Sequence, residues 1–166
     1  MSAELGLAAL WMSAALAILQ LAGGAIAQRN PDAPLAALVR PAAILQGFLA
    51  VFSFAMLLWV FAITDLSVKL VATNSHSMKP MMFKLSGAWG NHEGSLLLWI
   101  LILALFGLAV VMFGRELPAA FKARVLAVQS LVAVGFLSFT LFTSNPFERV
   151  EPPMLEGNGL NPLLQD

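Results

Sequence analysis

EGSLLLWILILALFGLAVVMF, running from Glu93 to Phe113, decides the fold. After Glu93 it holds no charged residue, and its length matches the roughly 20 apolar residues needed to cross a bilayer as a helix. A helix apolar on every side has no face to offer water, so it belongs in lipid or deep inside protein. Three more stretches read the same way: about Leu5 to Ala27, about Pro41 to Ile63, and about Val125 to Phe142. Across the 166 residues, 60% are hydrophobic and 11% charged, with a mean hydropathy of +0.85. Soluble domains are nearer half apolar and a quarter charged. The reading is an all-α integral membrane protein. Its single membrane domain, 1–166, has four transmembrane helices in two hairpins, a loop over 64–92 and an irregular tail over 143–166.

Composition excludes several functions. Formal net charge is zero, so no basic surface points to nucleic acid. With no cysteine, the chain forms no disulfide of its own, holds no thiolate-bound cluster, carries no CxxC and attaches no haem covalently to itself. Ala25-Ile26-Ala27 has the look of a signal-peptide cleavage site. No Lys or Arg precedes the apolar run, however, and the run exceeds the roughly 7–15 residues of a signal core, so the first span is expected to be retained.

Basic residues give a weak orientation. The short connections 28–40 and 114–124 hold Arg29, Arg40, Arg115, Lys122 and Arg124, whereas Lys69, Lys79, Lys84 and Arg149 lie in the other segments. Density is higher in the short loops, where the positive-inside rule applies best. The N-terminus, the 64–92 loop and the tail are therefore expected on the periplasmic side.

Packing signals are visible within the spans. Ala14, Ala15, Ala22, Gly23, Gly24 and Ala27 would let helices approach closely in lipid. Phe48, Phe52, Met56 and Trp59 share one face of the second span, and Phe136, Phe139 and Phe142 form a ladder on the fourth. Such stripes could flank a porphyrin, although helix packing or lipid contact is their commoner use. Leu66, Val68 and Leu70 alternate with Asp65, Ser67 and Lys69, which suggests an extended segment, with an amphipathic helix as the alternative.

The chemistry-bearing stretch is WGNHEGSLLLW, Trp89 to Trp99. Gly90 or Asn91 can cap the helix, and Glu93 suits the positive end of its macrodipole. Gly90 and Gly94 would allow a flat ligand near the backbone, and His92, Leu96 and Trp99 share a face. His92 reads as an axial ligand, a proton relay, or a structural residue satisfying a helix end. His76, in SHSMKP, reads as solvated. No histidine lies within a span, so two imidazoles cannot hold a haem inside the bilayer from this chain alone. The spans also lack the ionisable groups that transporters place there. A transporter-type or purely structural membrane subunit with no haem role is the alternative class.

WGNHEGSLLLW, followed one transmembrane hairpin later by SNPFERVEPPMLEGNGLNPLLQD, resembles the CcmF family of cytochrome c-type biogenesis proteins. NSHSMKPMMFKLSGAW, Asn74 to Trp89, resembles it too, and the nitrite-reductase-associated relatives share these motifs. The resemblance implies a multi-pass protein of the bacterial inner membrane, acting as a haem lyase component. Haem is delivered by the chaperone CcmE, and with CcmH it is joined through two thioether bonds to the CXXCH motif of apocytochrome c. It also implies a b-type haem in the full-length family, held by histidines that, with the tryptophan-rich WWD segment, lie beyond Asp166. None of those ligands maps onto this chain, so no metal or catalytic residue is assigned. The expectation is an N-terminal portion of such a protein, either truncated or a natural split form, that holds no haem and is inactive alone. Its expected partners are membrane lipid, the remainder of the CcmF protein, CcmE, CcmH and apocytochrome c. The motif residues that could touch haem or a partner are Trp89, Gly90, Asn91, His92, Glu93, Gly94 and Trp99. In the tail they are Asn145, Pro146, Phe147, Gly157, Asn161, Pro162, Gln165 and Asp166.

Overall fold

The structure, a computed structural model, describes residues 1–152 and 155–158. Its helices are α1 (Ser2–Ala27), α2 (Pro34–Ala37), α3 (Val39–Ala62), α4 (Lys69–Asn74), α5 (Met81–Gly87), α6 (His92–Phe113) and α7 (Ala119–Phe142). Four stretches are long and apolar enough to span a membrane: α1, α2 with α3, α6 and α7. Among the described residues there is no strand, only an isolated antiparallel bridge between Val68 and Arg149.

The long helices form an up-down-up-down ring in which α1 packs on α3 and α7, and α6 closes the ring against both. Its logic is that of lipid rather than water. On α1, Ala3, Gly6, Leu10, Ser13, Ala17, Gln20, Gly24 and Ala27 are buried, whereas Leu5, Trp11, Met12 and Ile18 are exposed. The buried positions repeat at alternating steps of three and four, a heptad seam. Lipid tails solvate large side chains as well as protein does, so close backbone approach decides the inward face. A Cβ on Gly24 would stand 2.5 Å from the Ala127 Cβ, and one on Gly23 2.6 Å from the Leu35 carbonyl oxygen.

Polar groups also lie on this seam. Gln20 Nε2 donates to the Leu126 carbonyl at 2.8 Å, and Ser53 Oγ to the Gly6 carbonyl at 3.0 Å. Each ties α1 to a neighbour by a bond worth about 0.6–2 kcal/mol in lipid. The aromatic stripes face outward: Phe48, Phe52, Trp59, Phe139 and Phe142 are exposed, with Met56 and Phe136 half-buried.

One helix is longer than its apolar stretch, and one sequence expectation is corrected. The fourth long helix begins at Ala119, after Pro118 at the N-cap, and so starts before the apolar stretch from about Val125. Lys122 and Arg124 do not interrupt it, because a helix can run past the apolar slab while long basic side chains reach outward. The segment 64–71 is not extended. Thr64 adopts φ 55°, with Thr64 N–H bonded to the Phe61 carbonyl and Asp65 N–H to that of Val60. Those two bonds make a Schellman close to α3, with threonine where glycine is usual. After a turn the chain enters α4, whose Leu70, Val71 and Ala72 are buried. The period-two signal came from four residues of turn followed by a short helix.

Candidate functional surface at the loop end

The start of α1, α4, α5, the start of α6 and the described tail all meet at one end of the bundle. The WGNHEG corner is built on glycines. Asn91 is the cap: its Oδ1 accepts from Gly94 N–H at 2.7 Å while its Nδ2 donates to the Gly87 carbonyl at 2.6 Å. Ser95 Oγ donates to the Trp89 carbonyl at 2.7 Å. The chain thus folds back so tightly that a Cβ on Gly94 would lie 1.6 Å from the Ala88 carbonyl oxygen. Ala88 is fully buried, and Gly87 sits against Phe61 and the end of α4.

This corner presents rather than conceals its ring systems. Trp89 and Trp99 are exposed, as is His92, whose ring meets Phe139 edge-on with centroids 6.1 Å apart. Since Asn91 and Ser95 satisfy the backbone turn, His92 is not needed for that purpose. Beside it, Leu96, Gly135, Phe136 and Phe139 line an open apolar groove of about 360 Å³ between α6 and α7. On the other side α5 carries exposed Met81, Met82 and Phe83, preceded by exposed Met78. Methionines make an adaptable apolar surface, and neither α5 nor its patch was anticipated. The signal was there in SMKPMMF, where Pro80 occupies the N-cap of a short amphipathic turn.

The described part of the tail is irregular, as its Pro, Gly and Asn content suggests, but the chain itself holds it. The Asn145 side chain accepts from Phe147 N–H at 3.0 Å, turning the backbone so that Pro146 and Phe147 are buried. The Phe147 ring fills the hollow left by Gly6, where a Cβ would stand 2.3 Å from it. Arg149 clasps three partners. Its Nη2 reaches Glu4 Oε1 at 2.5 Å and its Nη1 Asp65 Oδ2 at 3.4 Å, with a further bond to Ser67 Oγ. The Glu4 carboxylate raises the Arg149 pKa further above its ordinary value. Farther on, Asn158 N–H donates to the Ala72 carbonyl at 2.8 Å, and Gly157 is buried against the Ser75 carbonyl. Asn161, Pro162, Gln165 and Asp166 lie outside the described residues.

His76 is partly exposed, as a solvated residue would be, and it also has partners. Its Nδ1 accepts from Met78 N–H at 3.2 Å, and its Nε2 lies 3.8 Å from Glu156 Oε1. Hydrogen bonds from the Ser77 backbone and hydroxyl hold the Glu156 carboxyl down at about 2, against an ordinary 4.5. A lowered folded value means that ionisation favours docking. The gain is complete above about 4.5, declines below it, and is lost as pH falls through about 2. An environment-sensitive dye on Asn158→Cys should therefore report release between those values, and Glu156→Gln should abolish the transition.

The residues present do not fit a resident haem with two axial imidazoles. His76 is engaged with the loop backbone and faces Glu156, leaving His92 as a single exposed ring. Among the described residues no cluster of three His, Asp or Glu side chains could hold a metal ion.

Comparison with known proteins gives a consistent pattern. Residues 89–166 match the family described as cytochrome C assembly protein, a match that starts at Trp89 of the corner. The chain is 49% identical over 163 residues to the cytochrome c-type biogenesis protein CycK of Rhizobium meliloti, covering 98% of this chain and 24% of that protein. It is 55% identical over 130 residues to the cytochrome c-type biogenesis protein ccl1 of Rhodobacter capsulatus, covering 78% of this chain and 20% of that one. Among solved structures, one named cytochrome c heme lyase CcmF superposes with a TM-score of 0.83 at 26% identity, over 92% of this chain and 26% of its own. The chain thus spans about a quarter of the length of these relatives.

Proposed function

We propose a function from one premise: this chain belongs to the CcmF family of cytochrome c-type biogenesis proteins. It acts as the N-terminal membrane module of a haem lyase complex of the bacterial inner membrane, with the loop end on the periplasmic side. There it shapes the surface where haem brought by a CcmE-type chaperone meets apocytochrome c, alongside CcmH and the remainder of the CcmF protein. Haem is substrate in this role, and the protein supplies position and electrostatics rather than making the bond. This chain alone is expected neither to hold haem nor to ligate it.

The observation that supports the reading is the exposed ring of His92 packed edge-on against Phe139, which lines an apolar groove, on a corner whose fold does not require it. An edge of a flat apolar ligand, or the face of a partner, suits that lip of Trp89, His92 and Trp99.

The test uses a strain lacking its CcmF, complemented by a full-length family gene that carries this sequence as its first quarter. His92→Ala should leave membrane abundance unchanged and lower holo-cytochrome c at least about ten-fold, the loss of roughly 1.4 kcal/mol of positioning. Reduced abundance with normal cytochrome yield per molecule would instead mark His92 as purely structural and end the proposal.

A further inference from the structure

At the opposite end of the bundle, a cleft of about 450 Å³ between α3 and the end of α6 adjoins one of about 310 Å³ among α2, α3 and the start of α7, and the two share Arg40 and Val111. Arg115 stands on the rim of the first and Lys122 on that of the second. Inward from this rim the lining turns apolar, with Ile44 one turn along α3 and Val111 one turn along α6. The acids of this end do not neutralise the rim. Asp32 and Glu116 line neither cleft; Glu116 lies beside Arg115 on a third one with Phe106 and Leu117, but forms no ion pair with it. Among the described residues Arg40, Arg115 and Lys122 form no ion pair or side-chain hydrogen bond. Two guanidiniums and an ammonium thus border the two adjoining apolar clefts, none of them paired with a carboxylate among the described residues.

We infer that this cleft binds an anionic phospholipid, its phosphate held by Arg40 and Arg115 and an acyl chain laid along Ile44 and Val111. Guanidinium matches phosphate with paired N–H donors. Basic pockets between membrane helices are where anionic headgroups bind. The gradient from cationic rim to apolar wall fits an amphiphile better than a free anion, which would leave the wall bare. The site is separate from the loop-end surface and owes nothing to haem chemistry.

The test is native mass spectrometry of the purified 166-residue chain in neutral detergent, titrated with phosphatidylglycerol, phosphatidylcholine or inorganic phosphate. Phosphatidylglycerol should be retained at least ten-fold more tightly than phosphatidylcholine, and millimolar phosphate should not displace it. Arg40→Gln and Arg115→Gln should each weaken retention about five-fold, and the pair about 25-fold. Lys122→Gln, on the second cleft and away from Arg115, should show a smaller loss of the same sign. Arg29→Gln, at the same end but outside the cleft, should change nothing. Equal retention of both lipids, displacement by phosphate alone, or an equal loss on Arg29→Gln would each overturn the site.

Discussion

Replacing Gly94 by alanine should remove most of the folded chain from the membrane. Alanine is worth up to about 1 kcal/mol over glycine inside a helix, so propensity favours the change. Sterics oppose it far more strongly. The new Cβ would stand 1.6 Å from the Ala88 oxygen and 2.8 Å from its carbonyl carbon. Both are backbone atoms, fixed by the two Asn91 bonds and by the Ser95 bond to Trp89. Relief requires opening the cap, and overpacking together with a lost cap costs at least about 3 kcal/mol. Gly135→Ala is the control, because a Cβ there meets nothing within 4 Å. Immunoblots of membrane fractions and thermal unfolding in detergent should show Gly94→Ala depleted and Gly135→Ala at or above wild type. A Gly94→Ala chain as abundant and as stable as wild type would mean that the corner is not folded as described.

Replacing Gly157 by alanine should release the tail and leave the bundle intact. Its Cβ would lie 2.0 Å from the Ser75 oxygen and 3.1 Å from that of Ala72. Here the obstructed segment is an irregular loop docked on α4 rather than part of a long helix, so it can shift without disturbing the bundle. What is lost is the Asn158 bond to Ala72 and the Ser77 bonds to Glu156. The absence of cysteine makes the measurement clean. Asn158→Cys is the sole thiol, and its alkylation rate should rise at least ten-fold when Gly157→Ala is added, while the unfolding midpoint stays put. In a full-length family protein the same change should lower cytochrome c yield at normal abundance. If neither labelling nor yield moved, the docked tail would have no part in the proposed surface.

The four crossings were legible because length and hydropathy suffice to identify them. Less was visible wherever a partner lies far along the chain. Phe147 reads as one more apolar residue in a loop until Gly6 is seen beneath it, and Arg149 as a solvated charge until Glu4 and Asp65 flank it. No local pattern announces such pairs. Gln20 is a different kind of miss. Its place in the three-and-four repeat of α1 was countable, yet small residues drew attention to the same helix without the polar one among them. At the corner, spacing left Gly90 and Asn91 as equal candidates for the cap, and only the Asn91 side-chain bonds decide between them. The 64–71 misreading has a simple cause: alternation over so few residues cannot tell a strand from a Schellman turn leading into a helix.

The Arg149–Glu4 clasp joins residues 145 apart in sequence. During synthesis Glu4 must wait until all four long helices have been made before its partner arrives. Had one helix failed to insert, the two residues would sit across the bilayer from each other and could never touch. In a membrane, the clasp would thus be possible only with an even number of traversals between its two residues.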